Sequence, residues 1–222
     1  MEDKDMKAKL TELVFILDRS GSMAGLESDT IGGFNAMLKK QKETEGEAVV
    51  TTVLFDDQYE LLHDRIDIKG IQPITENEYF VRGSTALLDA VGRTISRIVN
   101  IHRHTDQEHR AEKVLFVITT DGLENASREF DFDKIRRMIE KQKNEYGWEF
   151  IFLGANMDAV AVAARFGIGE NRAVNFVSDS KGTTLNYKVM SETISRFRSC
   201  ADIDDGWKEE IEKDYRHRKG NK

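Results

Sequence analysis

Short apolar runs alternate with stretches of helical periodicity along this chain, and that alternation narrows the fold more than any other feature. Leu13-Val14-Phe15-Ile16-Leu17 has no polar break, the pattern of a strand buried on both faces. Val114 to Ile118 repeats it, Ala48 to Phe55 and Trp148 to Leu153 are further strands, and residues 173–177 form a last one. Between the runs lie helical stripes: Ile31, Phe34, Met37 and Leu38; then Leu87, Leu88, Val91, Ile95, Ile98 and Val99, in a helix that Thr85 opens; then Ile135, Met138 and Ile139. An Ala-rich helix from Asp158 to Arg165, closed by Gly167, and a long one from Leu185 to Phe197 complete the set. Asp29 or Ser28 is expected to cap the first helix and Gly46 to stop it, with Asp131 or Asp133 capping the third.

One spacing breaks the alternation. Tyr59 to Asp67 reads as a strand, yet only Asp56-Asp57-Gln58 separates it from Ala48 to Phe55. A parallel pair needs a crossover of a dozen or more residues, so these two strands must form an antiparallel hairpin. The segment Ile71 to Gly83, which holds the sole proline, Pro73, reads as a loop. The order β-α-β-β-α-β-α-β-α-β-α then predicts an α/β fold. It is a three-layer αβα, Rossmann-like arrangement, with a mostly parallel central sheet and one antiparallel edge strand.

Composition limits what such a sheet can serve. The 222 residues suit one domain of α/β size with a sizeable core. Charged residues make up 33% of the chain, above the usual ~25%, which points to long solvated helical faces. One Cys cannot form an internal disulfide, and no cysteine-based zinc or iron–sulfur site is possible. The opening MEDKDMKAKL is too charged for a secretory leader, and no apolar run approaches ~18 residues. A net charge of −7 argues against a general nucleic-acid binder. The expectation is a cytoplasmic protein with neither nucleic acid nor membrane as partner.

Chemistry gathers where such sheets bind ligands, outside the carboxyl ends of the strands. The first strand runs into Asp18-Arg19-Ser20-Gly21-Ser22-Met23, an Asp-x-Ser-x-Ser pattern, and Asp121 ends another buried strand in Thr119-Thr120-Asp121-Gly122. If the two strands are neighbours at the switch point, their carboxylates converge. Ser84-Thr85, at the start of the long helix, brings a third oxygen-bearing loop to the same rim. Asp and Ser after a strand also serve as caps and turn formers, but three loops in the correct order favour a shared site. Two carboxylates and three hydroxyls, without thiol or imidazole, suit a hard divalent cation, Mg²⁺ or Mn²⁺. Two carboxylates only just balance the ion, so the metal favours a carboxylate arriving from outside. The implied chemistry is ligand capture, not turnover.

With Gly83-Ser84-Thr85-Ala86-Leu87 added to the other two segments, the chain resembles a von Willebrand factor type A (VWA) domain over residues 10–200. Residues 201–222 are then a C-terminal helical tail, partly frayed. The resemblance implies a metal-ion-dependent adhesion site (MIDAS) in which Ser20 and Ser22 ligate directly and Thr85 directly or through water. Asp18 and Asp121 would complete the shell, mostly through water. It also implies a non-enzymatic module of the bacterial cytoplasmic type, binding a partner protein that supplies an Asp or Glu. Such partners include AAA+ ATPases and components of stress, metal-resistance or phage-related systems. The alternative is a metal-dependent phosphohydrolase or phosphotransferase with Asp18 as nucleophile or ligand. Against it, position 20 is Ser where an acid/base carboxylate is needed, and Arg19 is the single cation in the loop. A degenerate, metal-free scaffold is disfavoured by five intact ligand positions.

Other residues carry weaker signals. His102, His104 and His109 lie in a charged stretch that a polar helix-to-strand linker explains better than a metal. Glu124 and Asn125 either line the rim or cap a helix. Gly154-Ala155-Asn156 lacks the glycines of a dinucleotide fingerprint and the lysine of a P-loop. Cys200 reads as an inert thiol at the end of the last helix, and Trp148 as core. Trp207, in the tail stripe Ile203, Trp207, Ile211, Tyr215, suits packing or a partner anchor. The basic end from Arg216 to Lys222 is expected to fray.

Overall fold

The structure, a computed structural model, describes residues 10–199 and 201–219. Among these, six strands form one sheet: β1 (Thr11–Asp18), β2 (Ala48–Phe55), β3 (Tyr59–Asp67), β4 (Lys113–Thr120), β5 (Glu149–Ala155) and β6 (Ala173–Phe176). Their order is β3-β2-β1-β4-β5-β6, with every neighbouring pair parallel except β2–β3. The three-residue spacing after Phe55 is therefore the hairpin it was expected to be, with Tyr59 opposite Phe55.

Buried residues alternate between the two faces. Leu13, Phe15 and Leu17 of β1 join one core with α1 (Glu27–Glu43) and α5 (Ser180–Arg198). Val14 and Ile16 join the other with α2 (Leu87–Arg103), α3 (Phe132–Tyr146) and α4 (Ala159–Arg165). Central strands thus bury both faces, which is why Leu13 to Leu17 of β1 reads as an unbroken apolar run. Because β1 connects to β2 on one side and lies beside β4 on the other, the carboxyl ends of β1 and β4 flank the switch point.

Element ends differ from expectation where side chains prefer tertiary partners. Ser28 and Asp29 lie inside the first turn of α1, which starts at Glu27 without a side-chain cap. The Glu27 carboxylate instead turns back to accept the Gly25 amide at 2.7 Å, and Asp29 accepts Ser180 Oγ at 2.8 Å. The second helix begins at Leu87, two residues after Thr85, and Trp148 packs just ahead of β5. The last long helix starts five residues before Leu185, capped by Asp179, which accepts the Gly182 amide at 2.8 Å. Its first turn is polar yet buries Gly182 and Thr183, so an apolar stripe does not reveal it. For α3 the cap is Asp131, accepting Lys134 N at 2.7 Å.

The tail stripe is not one helix. Ile203 precedes a short 3₁₀ turn that holds Trp207, and Ile211 lies on α6 (Glu209–Lys219); all three enter the α1/α5 core. Trp207 is a packing residue, its indole N–H donating to the Asn171 carbonyl at 2.8 Å. Residues 216–219, expected to fray, are helical, and Arg218 pairs with Asp214 on its own helix and with Asp179 at the head of α5. Cys200 lies outside the described residues.

Two adjacent glycines of α1 predict opposite outcomes. A Cβ on Gly33 would stand 2.3 Å from the Tyr187 ring of α5, whereas one on Gly32 meets nothing within 4 Å. Gly33→Ala should lose about 1–3 kcal/mol through overpacking. Gly32→Ala should be neutral or gain up to about 1 kcal/mol from helix propensity. Urea unfolding of the two variants checks this; equal losses would mean that α1 and α5 do not meet here.

Candidate metal centre

Backbone bonds first bring the three loops together. The Gly21 amide donates to the Gly83 carbonyl at 3.2 Å and the Arg82 amide to the Arg19 carbonyl at 2.9 Å, so the segment before α2 is strapped along the loop after β1. The Tyr79 hydroxyl, buried, donates to the Asp18 carbonyl from the same segment. From the other side Asn125 clamps Thr85: its Oδ1 accepts the Thr85 amide at 2.9 Å, and its own amide donates to the Thr85 carbonyl at 3.0 Å.

Asp18 and Asp121 then stand at the ends of adjacent strands, both almost fully buried. Asp18 Oδ1 accepts the Ser20 amide at 2.7 Å, while Oδ2 accepts Thr120 Oγ1 at 2.6 Å and the Asp121 amide at 3.3 Å. Burial pushes the Asp18 carboxyl above its ordinary value, and the bonds from Ser20, Thr120 and Asp121 offset this in part. Burial likewise raises Asp121, opposed by Ser178 and Asn156 and reinforced by the charge of Asp18. Two buried carboxylates that both resist ionisation make a site that favours a cation.

The hydroxyls supply its centre. Ser20 Oγ and Ser22 Oγ are 3.1 Å apart. A Cβ placed on Gly122 would lie 2.8 Å from Thr85 Oγ1, 3.0 Å from Ser22 Oγ and 3.6 Å from Ser20 Oγ. Three hydroxyl oxygens from two loops therefore surround one point, left open because residue 122 has no side chain. The donor set fits a small hard cation, since each oxygen is neutral and two carboxylates stand behind them. Among the described residues no three His, Cys, Asp or Glu side chains gather to hold a metal, so an ion here must lean on hydroxyls.

All five expected residues are thus at one rim, and two more join them. Asn156, after β5, donates through Nδ2 to Asp121 Oδ1, and Ser178, after β6, donates through Oγ to Asp121 Oδ2. Asn156 holds φ at +55°, an uncommon left-handed conformation for a residue other than glycine and one that Asn tolerates best. No motif marks either residue; the available signal was their place at the carboxyl ends of the two strands beyond β4.

The remaining candidates serve the frame. Glu124 accepts the Leu88 amide at 2.9 Å and so caps the first turn of α2. Arg19 points away from the rim and is fully buried, with Nε 3.1 Å from Asp56 Oδ2 and Nη2 2.7 Å from Glu60 Oε2. His102 Nε2 is 2.7 Å from buried Glu12 Oε2, and its ring packs edge-on to Trp148. His104 bonds the Asn100 carbonyl, so the three histidines do not converge.

No family profile and no curated protein sequence matches the chain. Solved structures do match. The VWA domain of the type V pilus tip protein Mfa5 from Porphyromonas gingivalis aligns with TM-score 0.60 at 12% identity, over 89% of this chain and 99% of that one. Manganese-loaded TRAP protein from Plasmodium vivax aligns with TM-score 0.56 at 16% identity, over 80% and 71%. Proximal thread matrix protein 1 from the mussel byssus, with a zinc-occupied MIDAS motif, aligns with TM-score 0.55 at 14% identity, over 85% and 46%. The chain spans about half the length of the mussel protein. These likenesses establish the fold as that of VWA domains.

Proposed function

We propose that this chain is a divalent-metal-dependent protein-binding module, with Asp18, Ser20, Ser22, Thr85 and Asp121 holding Mg²⁺ or Mn²⁺. The observation that carries this is the ring of three hydroxyl oxygens around the open point beside Gly122, backed by two buried carboxylates. When bound, the ion supplies an electrophilic position for an Asp or Glu carboxylate from a partner protein. The chain's own part is to keep that position under-neutralised: the hydroxyls bring no charge, and hydrogen bonds already engage all four carboxylate oxygens. The metal-loaded structures of similar fold support a cation at such a rim.

Binding rather than turnover is supported by Arg19, whose guanidinium is committed to Asp56 and Glu60 and cannot reach a phosphate at the rim. The reading extends to an intracellular complex, resting on the single cysteine, and to a partner acting in trans such as an AAA+ ATPase or a stress- or phage-related component, resting on the family resemblance. No helix among the described residues is long and apolar enough to cross a membrane.

Calorimetric titration of Mg²⁺ and of Mn²⁺ tests the site. Wild type should bind one ion, Asp121→Ala should weaken it about 100-fold, and Ser178→Ala, which only releases the Asp121 carboxylate, about tenfold. If wild type and Asp121→Ala bind alike, or neither binds, the assignment is wrong. Pull-downs with and without chelator then identify the acidic partner.

A further inference from the structure

Away from the metal rim, a groove of about 1020 Å³ runs between α2 and α3 and ends against the α2–β4 connection. Its cation count runs against the chain as a whole, which carries −7. Arg103, Arg110, Lys134, Arg137 and Lys141 line it, and Glu112 is the one carboxylate among the lining residues. Arg103 and Arg137 are exposed, and neither guanidinium makes a hydrogen bond or ion pair among the described residues. Arg103, in the last turn of α2, suits that helix's dipole. Lys134 lies in the first turn of α3, where the dipole favours acidic side chains, and its ammonium rests 4.0 Å from the Phe130 ring centroid. Lys141 is 3.9 Å from Glu145 Oε2 on its own helix, an exposed pair that a partner's carboxylate can replace.

Geometry and floor define what fits. Lys134, Arg137 and Lys141 follow i, i+3, i+7 along one face of α3, a stripe of about 10 Å at 1.5 Å per residue. A single phosphate could use only part of it. Between the charges the groove exposes apolar surface from Val99 and Met138, and Tyr146 at its end is 58% exposed. We infer that this groove docks an acidic, amphipathic peptide segment of a partner protein, its carboxylates on the α3 stripe and Arg103, its apolar side chains on the floor. A nucleic acid would leave the apolar floor unfilled, and it would meet the acidic remainder of the surface beyond the groove. The groove's closed end, at Ala111, Glu112 and Trp148, lies at the amino ends of β4 and β5, and none of its lining residues belongs to the metal rim at the carboxyl ends, so this contact does not need the ion.

Random dodecapeptides displayed on phage and selected on the full chain supply the probe; enriched sequences are resynthesised with a fluorophore and their binding measured by anisotropy. Expected are sequences combining Asp or Glu with apolar residues, whose affinity falls as salt is raised and does not change with chelator. Arg103→Glu/Arg137→Glu should weaken them about tenfold or more, and the milder Arg137→Gln by less, with unchanged thermal unfolding because both side chains are exposed. Selection without acidic bias, or equal binding to the double variant, would overturn the inference. A single-stranded DNA 20-mer that binds wild type as tightly and is lost in the same variant would replace the peptide with a nucleic acid.

Discussion

Replacing Asp56 with Ala should cost about 3–5 kcal/mol of folding stability, because it strands a buried guanidinium. Asp56 opens the turn between β2 and β3 and is fully buried. Its carboxylate accepts Arg19 Nε at 3.1 Å, Arg82 Nε at 2.5 Å and the Gln58 amide at 2.6 Å. Arg19 sits between two of the proposed metal ligands, so this ion pair ties the loop after β1 to the hairpin. Urea unfolding measures the loss. The double variant Arg19→Met/Asp56→Ala should recover part of it, since removing both charges costs less than leaving one unpaired. A single-variant loss below about 1 kcal/mol would mean that Glu60, 2.7 Å from Arg19 Nη2, suffices alone.

The same residue predicts a pH dependence. Burial pushes the Asp56 carboxyl up, but the hydrogen bonds from Arg82 and Gln58 and the charges of Arg19 and Arg82 outweigh it, leaving the group below its ordinary 3.8. A carboxyl depressed on folding contributes stability above its unfolded value and loses that contribution as pH falls through its folded value. The stability difference between wild type and Asp56→Asn should therefore be full at neutral pH and shrink below about pH 4. Using the difference isolates Asp56 from other carboxylates, such as Asp214, that titrate in the same direction.

What the sequence could reveal followed distance along the chain. The hairpin was legible because three residues leave room for no other connection, and β1 because its centre, Leu13 to Leu17, is buried on both faces and wholly apolar, with its buried polar residues Thr11, Glu12 and Asp18 at the ends. The five rim residues were legible because each ends or follows a strand or opens a helix within a short motif. Arg19 was not: its partners Asp56 and Glu60 are brought to it by the pairing of β1 with β2 and β2 with β3. Asn156 and Ser178 were not either, since their relation to Asp121 exists only once β5 and β6 are placed beyond β4. The head of α5 was missed for a related reason. Ser180 to Thr184 carry no apolar side chain, and only Gly182 and Thr183 among them are buried, so the turn has no apolar periodicity to read; Ser180 meets Asp29 of α1, and the cap Asp179 meets Arg218 of α6.

Gly122→Ala should abolish detectable Mg²⁺ and Mn²⁺ binding while changing no ligand. The added methyl would stand 2.8 Å from Thr85 Oγ1 and 3.0 Å from Ser22 Oγ, inside the space that those hydroxyls enclose. The backbone at this position is not left-handed, so the expected stability change without metal is modest, about 1 kcal/mol. A ligand that binds only the native state raises the unfolding temperature, so excess Mg²⁺ should shift wild type and leave the variant where it was. Gly21→Ala is the matched control. Its Cβ would meet only the Gly83 carbonyl at 3.5 Å, an ordinary contact, and binding should persist. If Gly122→Ala binds as wild type does, the ion does not sit among the hydroxyls, however close they lie. Loss in both variants would instead show that the loops tolerate no added carbon, and the point beside Gly122 would no longer be singled out. Only loss in the first with retention in the second places the cation where three neutral oxygens and an absent side chain leave room for it.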